Sequence, residues 1–242
     1  MFAIFSKEVS AFFGSVIAYV VITVFLIAVG LIVWVFPDSN VLDYGYADMG
    51  VFFNLTPFVL LFLVPAVTMR TIAEESKNGT LELLLTKPLN DLQLVLGKLL
   101  ACWLLVTVTL LATVVYYFSL YQLGNPRGNI DGAAVAGSYI GLFLLSGALV
   151  AMGVWISALN DNQIVAFVLS VFVGFIWYMG FGALSDLLVS GPLSDLFGWL
   201  ALDRQYLALG KGLIDSRNVI YLLSLIFFFI SLTLLRIRRI RV

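Results

Sequence analysis

An all-α integral membrane protein with six transmembrane helices is the fold class this sequence predicts, on three observations. Apolar residues fill 62% of the 242 positions and charged residues 11%, against roughly 45–50% and about 25% in soluble domains. Six apolar stretches, 16–36, 51–69, 99–120, 133–159, 164–181 and 219–235, contain no Asp, Glu, Lys, Arg or His, and each is close to the roughly 20 residues that carry a helix across about 30 Å of hydrocarbon. A strand barrel would show short alternating segments instead. The whole chain, 1–242, reads as a single transmembrane domain.

The opening stretch MFAIFSKEVSAFFG places Phe2, Phe5, Val9, Phe12 and Phe13 at helical spacing, interrupted by Ser6, Lys7 and Glu8. That pattern predicts a helix lying in the membrane interface; the plainer alternative is a frayed cytoplasmic extension of the first span. The first apolar run is too long for the core of a signal peptide, and no small-residue cleavage pattern follows VWVFPDSN, so the span is expected to stay in the mature protein. Loop 37–50 carries Asp38, Asp43 and Asp48 but no base. In the second span, Asn54, Thr56 and Pro57 predict a kink more readily than a polar path.

Residues 70–98, RTIAEESKNGTLELLLTKPLNDLQLVLGK, form a charged island holding eight of the chain's 13 basic and 14 acidic residues. Gly79 should break the helix leaving the second span. Thr80 is placed to cap a short new helix that Pro88 ends, with Leu81, Leu84 and Leu85 on one face. So short a helix is not stable alone in water, so it lies on a membrane surface or against a partner. Asn90 as N-cap, Gln93 reaching back to it and Leu89 against Leu94 form a second start signal that launches the third span.

Further along, small residues recur four apart at Gly137 and Gly141, Gly147 and Ala151, Gly153 and Ser157, and Ser170 and Gly174, a spacing that lets membrane helices approach closely. Ser146, Ser157 and Ser170 are accordingly read as packing residues, not nucleophiles. Trp34, Trp103, Trp155, Tyr116, Tyr117 and Tyr121 are expected as interfacial anchors. Residues 182–218 are too long for a plain connector. Their apolar clusters, broken by Asp186, Asp195 and Asp203, predict a segment that partly re-enters or skims the membrane.

With the N-terminus inside, nine basic residues fall on the cytoplasmic side (Lys7, the island's Arg70, Lys77, Lys87 and Lys98, and Arg236, Arg238, Arg239 and Arg241), against Arg127, Arg204, Lys211 and Arg217 outside. The positive-inside rule therefore places both termini and the island in the cytoplasm. Several function classes drop away. A net charge of −1 points to no nucleic-acid partner. The absence of His and the single Cys102 leave no metal site, His relay or disulfide framework to expect. Spans without ionisable residues argue against an ion-coupled carrier. Gly97-Lys98 lacks the rest of a phosphate-binding loop, so any ATP-driven step draws on another protein. A channel working without ATP and a non-transporting scaffold of a motility or secretion machine remain open, and no substrate is named.

The island resembles the cytoplasmic loop of ABC-2-type permeases at Glu74, Glu75, Gly79, Thr80, Glu82, Leu84, Leu85, Pro88, Gly97 and Lys98, and SKEVSAFFGS resembles that family's interfacial N-terminal helix at Lys7 and Glu8. Tyr206, Gly212, Asp215, Arg217 and Tyr221 are similar to the gliding-motility-associated branch of the family found in Bacteroidetes; Arg204-Gln205 and Asn218 depart from that pattern. The resemblance implies a non-catalytic permease subunit of the inner membrane. A separate ABC ATPase would carry the ATP and Mg, and a second permease chain, identical or different, would pair with this one. The ATPase would bind the island through Leu81, Leu84 and Leu85, with Glu74, Glu75 and Glu82 meeting basic groups. The resemblance implies export or a mechanical cycle as the output.

Overall fold

The computed structural model describes residues 1–37, 39–44, 47–86, 90–188, 191–212 and 215–241, without the side chains of Asp43, Tyr44 and Leu85. The expectations for Asp38, Lys87, Pro88 and Leu89, and those for the Asp43 and Leu85 side chains, lie outside what is described. The described residues form an all-helical bundle. Its elements are α1 (Phe2–Phe13), α2 (Val16–Trp34), α3 (Gly50–Thr68), α4 (Ala73–Lys77), α5 (Thr80–Leu85), α6 (Asp91–Ala112), α7 (Val114–Leu123), α8 (Gly132–Leu159), α9 (Gln163–Phe175), α10 (Phe181–Leu187), α11 (Pro192–Leu200), α12 (Leu202–Leu209) and α13 (Ser216–Arg241). Six helical stretches are long and apolar enough to cross a bilayer: Val16–Trp34, Gly50–Lys77, Asp91–Leu123, Gly132–Leu159, Gln163–Leu187 and Ser216–Arg241.

The bundle is built around α8, which is far more buried than any other span and contacts α3, α6, α9, α12 and α13. Its glycines let α3, α6 and α12 approach it closely. A Cβ on Gly147 would lie 2.7 Å from the Trp103 ring and one on Gly141 would lie 3.0 Å from the Tyr206 ring, while Gly153 faces Thr68 and Gly137 faces the Leu209 carbonyl. The small-residue stripe therefore packs this chain against itself. Trp103 packs within the bundle. Its ring fills the space left by Gly147, stacks on Phe143 at 4.5 Å and donates from Nε1 to the Phe143 carbonyl at 3.1 Å.

Pro57 and Pro65 both lie inside α3, yet the helix runs unbroken from Gly50 to Thr68. A proline has no N–H for the carbonyl four residues back, so Pro57 frees the Phe53 carbonyl. The Tyr206 hydroxyl, from α12, donates to that carbonyl at 2.9 Å. Thr56 donates to the Phe52 carbonyl one turn back at 2.7 Å. Tyr206→Phe keeps the ring against Gly141 and removes only the hydroxyl. It is expected to cost about 1–3 kcal/mol, the penalty for a buried carbonyl left without its donor, and the melting temperature of the purified protein measures it.

Several boundaries differ from the apolar runs. The third span begins at Asp91, eight residues before the apolar run, and is interrupted at Thr113 between α6 and α7. There the Thr113 hydroxyl turns back to the Leu110 carbonyl at 2.6 Å and meets Tyr139 Oη at 3.1 Å. Asn90 is the N-cap of α6, but its side chain makes no cap hydrogen bond; Gln93 bonds to it only through its backbone N–H. The fifth span continues through a π-helical turn, Ile176–Gly180, into α10. The wide turn directs Tyr178 edge-on against Phe58 at 5.6 Å and brings Trp177 Nε1 within 3.3 Å of the Tyr221 hydroxyl. The long stretch after it is mostly helical. Leu202, Tyr206 and Leu209, one face of α12, are buried, which docks this segment on the far end of the bundle from the chain termini.

Candidate functional site

The charged island folds at the end of the bundle that also carries both termini, where Arg241 Nη1 in α13 pairs with Asp91 Oδ1 in α6 at 2.9 Å. Its first part is held by one serine of α8. Ser157 Oγ accepts from the backbone N–H groups of Ile72 and Ala73 at 3.1 and 3.0 Å and donates to the Met69 carbonyl at 3.1 Å. A single hydroxyl thus satisfies the turn between α3 and α4, whose backbone groups have no helical partner of their own. Ser76 of α4 also donates to Asp161, between α8 and α9.

The centre of the site is Lys98. Only 2% of its side chain is exposed, in a place where an unpaired charge is expensive. Its Nζ lies 2.8 Å from Glu75 Oε1 in α4 and 3.0 Å from Glu8 Oε1 in α1, and donates to the Thr71 carbonyl at 2.7 Å. Lys7 adds a second positive charge 3.7 Å from Glu75 and 3.8 Å from Glu8. Two lysines and two glutamates from three segments thus balance one another. Glu75 Oε2 is buried without a hydrogen-bond partner among the described residues. The residue before Lys98 lets α1 come this close: a Cβ on Gly97 would lie 2.9 Å from Ile4 Cγ2.

Gly79 separates α4 from α5 with φ +68°, in the left-handed region that glycine enters without a Cβ penalty. It, and not Thr80, is the N-cap of α5. The Thr80 hydroxyl points back instead and donates to the Glu75 carbonyl at 3.2 Å. Of the α5 leucines, Leu81 turns inward and is 2% exposed, whereas Leu83 is 66% exposed. Leu84 is half-buried and Glu82 exposed. Glu74 pairs with Arg70 one turn earlier at 3.0 Å. A groove of about 520 Å³ runs between α1 and the α4–α5 loop, with Phe12, Leu83 and Leu84 on its apolar side and Lys7, Arg70 and Glu75 on its charged side.

The structure thus brings Lys7, Glu8 and Glu75 together, and adds Lys98 and Ser157 as the residues that hold them. Leu81 serves the chain's own core, and among the described side chains of α5 Leu83 is the leucine that faces outward. At the far end, burial raises the Asp203 carboxyl above its ordinary range, opposed by the backbone N–H and guanidinium of Arg204. Arg204 itself pairs with Asp186.

Six helices with a charged loop cross-tied beneath them define a multi-pass membrane protein of the transporter type. The family model described as ABC-2 family transporter protein matches residues 36–235, and the chain belongs to that family. It is a transmembrane component of an ABC transporter, in a family whose members normally work with an ABC ATPase. The matched region contains the α4–α5 loop and Lys98; Lys7 and Glu8 precede it. A search of curated proteins finds no match.

Proposed function

We propose that this chain is the non-catalytic permease subunit of an ABC complex, and that a separate ATPase drives it by docking on the α4–α5 loop. One observation carries the reading. The loop exposes Leu83 and Glu82 outward while Lys98, Glu75, Glu8 and Ser157 bind it to α6, α1 and α8, so a force applied to α5 reaches three parts of the bundle. Leu83 and Leu84 are the apolar contacts for the ATPase, Glu82 meets a basic group on its rim, and Leu81, Gly79 and Thr80 shape the loop. ATP and Mg reside on the partner. The loop and both termini face the cytoplasm in the inner membrane, with α1 in the interface.

A second permease chain, the same or different, covers the face formed by α2, α3 and α9. The spans that contain α2 and α9 are the least buried, and on α3 beside them Asn54 is exposed on the same side as Phe58 and Phe62. An amide facing lipid is costly, and a facing helix supplies its partner. The output is export or a mechanical cycle; gliding motility is the process suggested by the similarity around Tyr206 to Tyr221.

Co-purification of a candidate ATPase subunit tests the docking. Leu83→Asp is expected to lower its recovery at least about tenfold, because a charge then faces an apolar pocket on the partner. Leu83 is solvent-exposed in the isolated chain, so the amount of permease in the membrane should hold. Undiminished recovery would rule out this face. Orientation is tested on a Cys102→Ser background: Lys211→Cys should label from outside intact cells and Asn78→Cys should not. The reverse pattern would overturn the topology.

A further inference from the structure

We propose that the pocket at the far end of the bundle, between α11, α12 and the first turn of α13, binds a pyranose ring belonging to a glycan or a glycolipid headgroup. The pocket has a volume of about 290 Å³ and is lined by Asp195, Gly198, Trp199, Arg204, Gln205 and Asn218. Two of its amides are buried, Gln205 at 6% and Asn218 at 8% exposure. Gln205 Nε2 donates to the Trp199 carbonyl at 2.9 Å, which fixes the amide and leaves its oxygen to accept. The Asn218 carboxamide lines the pocket and has no hydrogen-bond partner among the described residues. Its amide atoms face the pocket and are not among the groups sealed from solvent, so a ligand entering the pocket can bond to them.

The remaining groups select the ligand. The Trp199 side chain is exposed at the rim, 54% of the residue being accessible. Arg204 is neutralised by Asp186 and lies over Gly198, where a Cβ would come within 2.6 Å of its Nη1. An anion would meet Asp195 opposite a guanidinium already paired. A purely apolar ligand would strand both amides. A sugar ring satisfies all of them. Its C–H face lies against the indole, and its hydroxyls both donate and accept, as two amides, a carboxylate and a guanidinium require.

The test uses the full chain in phosphatidylcholine nanodiscs, since a maltoside detergent would itself offer the ligand. Saturation-transfer NMR with glucose, galactose and N-acetylglucosamine should show saturable binding of at least one sugar. Trp199→Ala and Asn218→Ala should each weaken it about tenfold, the effect of losing one well-placed partner. Trp199 is exposed, so its variant decides the matter if Asn218→Ala lowers the melting temperature. Discs that also contain a glycosyl diacylglycerol distinguish the sources: suppression of the free-sugar signal assigns a glycolipid headgroup, and an unsuppressed signal assigns a soluble glycan. No saturable sugar binding, binding undiminished in Trp199→Ala, or saturable binding of sulfate or phosphate in place of sugar would overturn the proposal.

Discussion

Lys98→Met is expected to destabilise the protein by about 3–5 kcal/mol, the usual result of removing one partner from a buried ion cluster. The thioether side chain roughly fills the same volume, so the loss is electrostatic: Glu8 and Glu75 remain close together with Lys7, itself mostly exposed, as their remaining counter-charge. A second change separates charge from packing. Glu75→Gln on the Lys98→Met background removes the like-charge repulsion and should restore part of the stability, a coupling that a double-mutant cycle reads directly. The measurement is the melting temperature of purified single and double variants. Equal stability of Lys98→Met and wild type would mean that the cluster does not hold α1, α4 and α6 together.

Gly137→Ala carries the second large effect. The new methyl group would press on the backbone carbonyl of Leu209, and a carbonyl within α12 has no side-chain torsion through which to yield. Either α12 lifts from α8 or α8 shifts, and overpacking of this kind costs about 1–3 kcal/mol. The expected signs are a lower melting temperature and faster backbone hydrogen exchange across Leu202–Leu209. Gly132→Ala is the control. At the start of the same helix a Cβ there meets only the Tyr117 hydroxyl at 3.8 Å, so it should stay within about 0.5 kcal/mol of wild type. Equal effects of the two substitutions would show that close approach at Gly137 is not what seats α12.

The six spans were legible because charge is absent from them, and that signal does not depend on tertiary context. Their ends were not. Lys98 stands immediately before the apolar run at Leu99, so an uncharged window stops one residue short of the most informative charge in the helix. The outer stretch looked irregular because its helices are short and punctuated by Gly191, Pro192 and Gly210; only the spacing of Leu202, Tyr206 and Leu209 hinted at a packed face. In the island, Gly79 was readable as a break because few other residues adopt its backbone angles. The outward face of α5 was not readable. A helix of six residues has too few positions for its periodicity to distinguish Leu81 from Leu83, and its rotation is set by what α4 and the bundle present to it. Ser157 lay in the small-residue stripe with no sign that it would reach across to residues 69–73.

The bond from Tyr206 to the Phe53 carbonyl places part of one helix's rigidity in another segment of the chain. At Pro57, α3 lacks one rung of its own ladder, and the replacement comes from 153 positions downstream. Bending at this level of α3 is therefore controlled by whether α12 stays seated, not by α3 alone. If α12 moves away, the helix gains a compliant joint at the level of Pro57. Below it the rod continues to Thr68 and the turn clasped by Ser157. Whatever occupies the far end of the bundle thus acts on the flexibility of the same rod that leads to the charged loop.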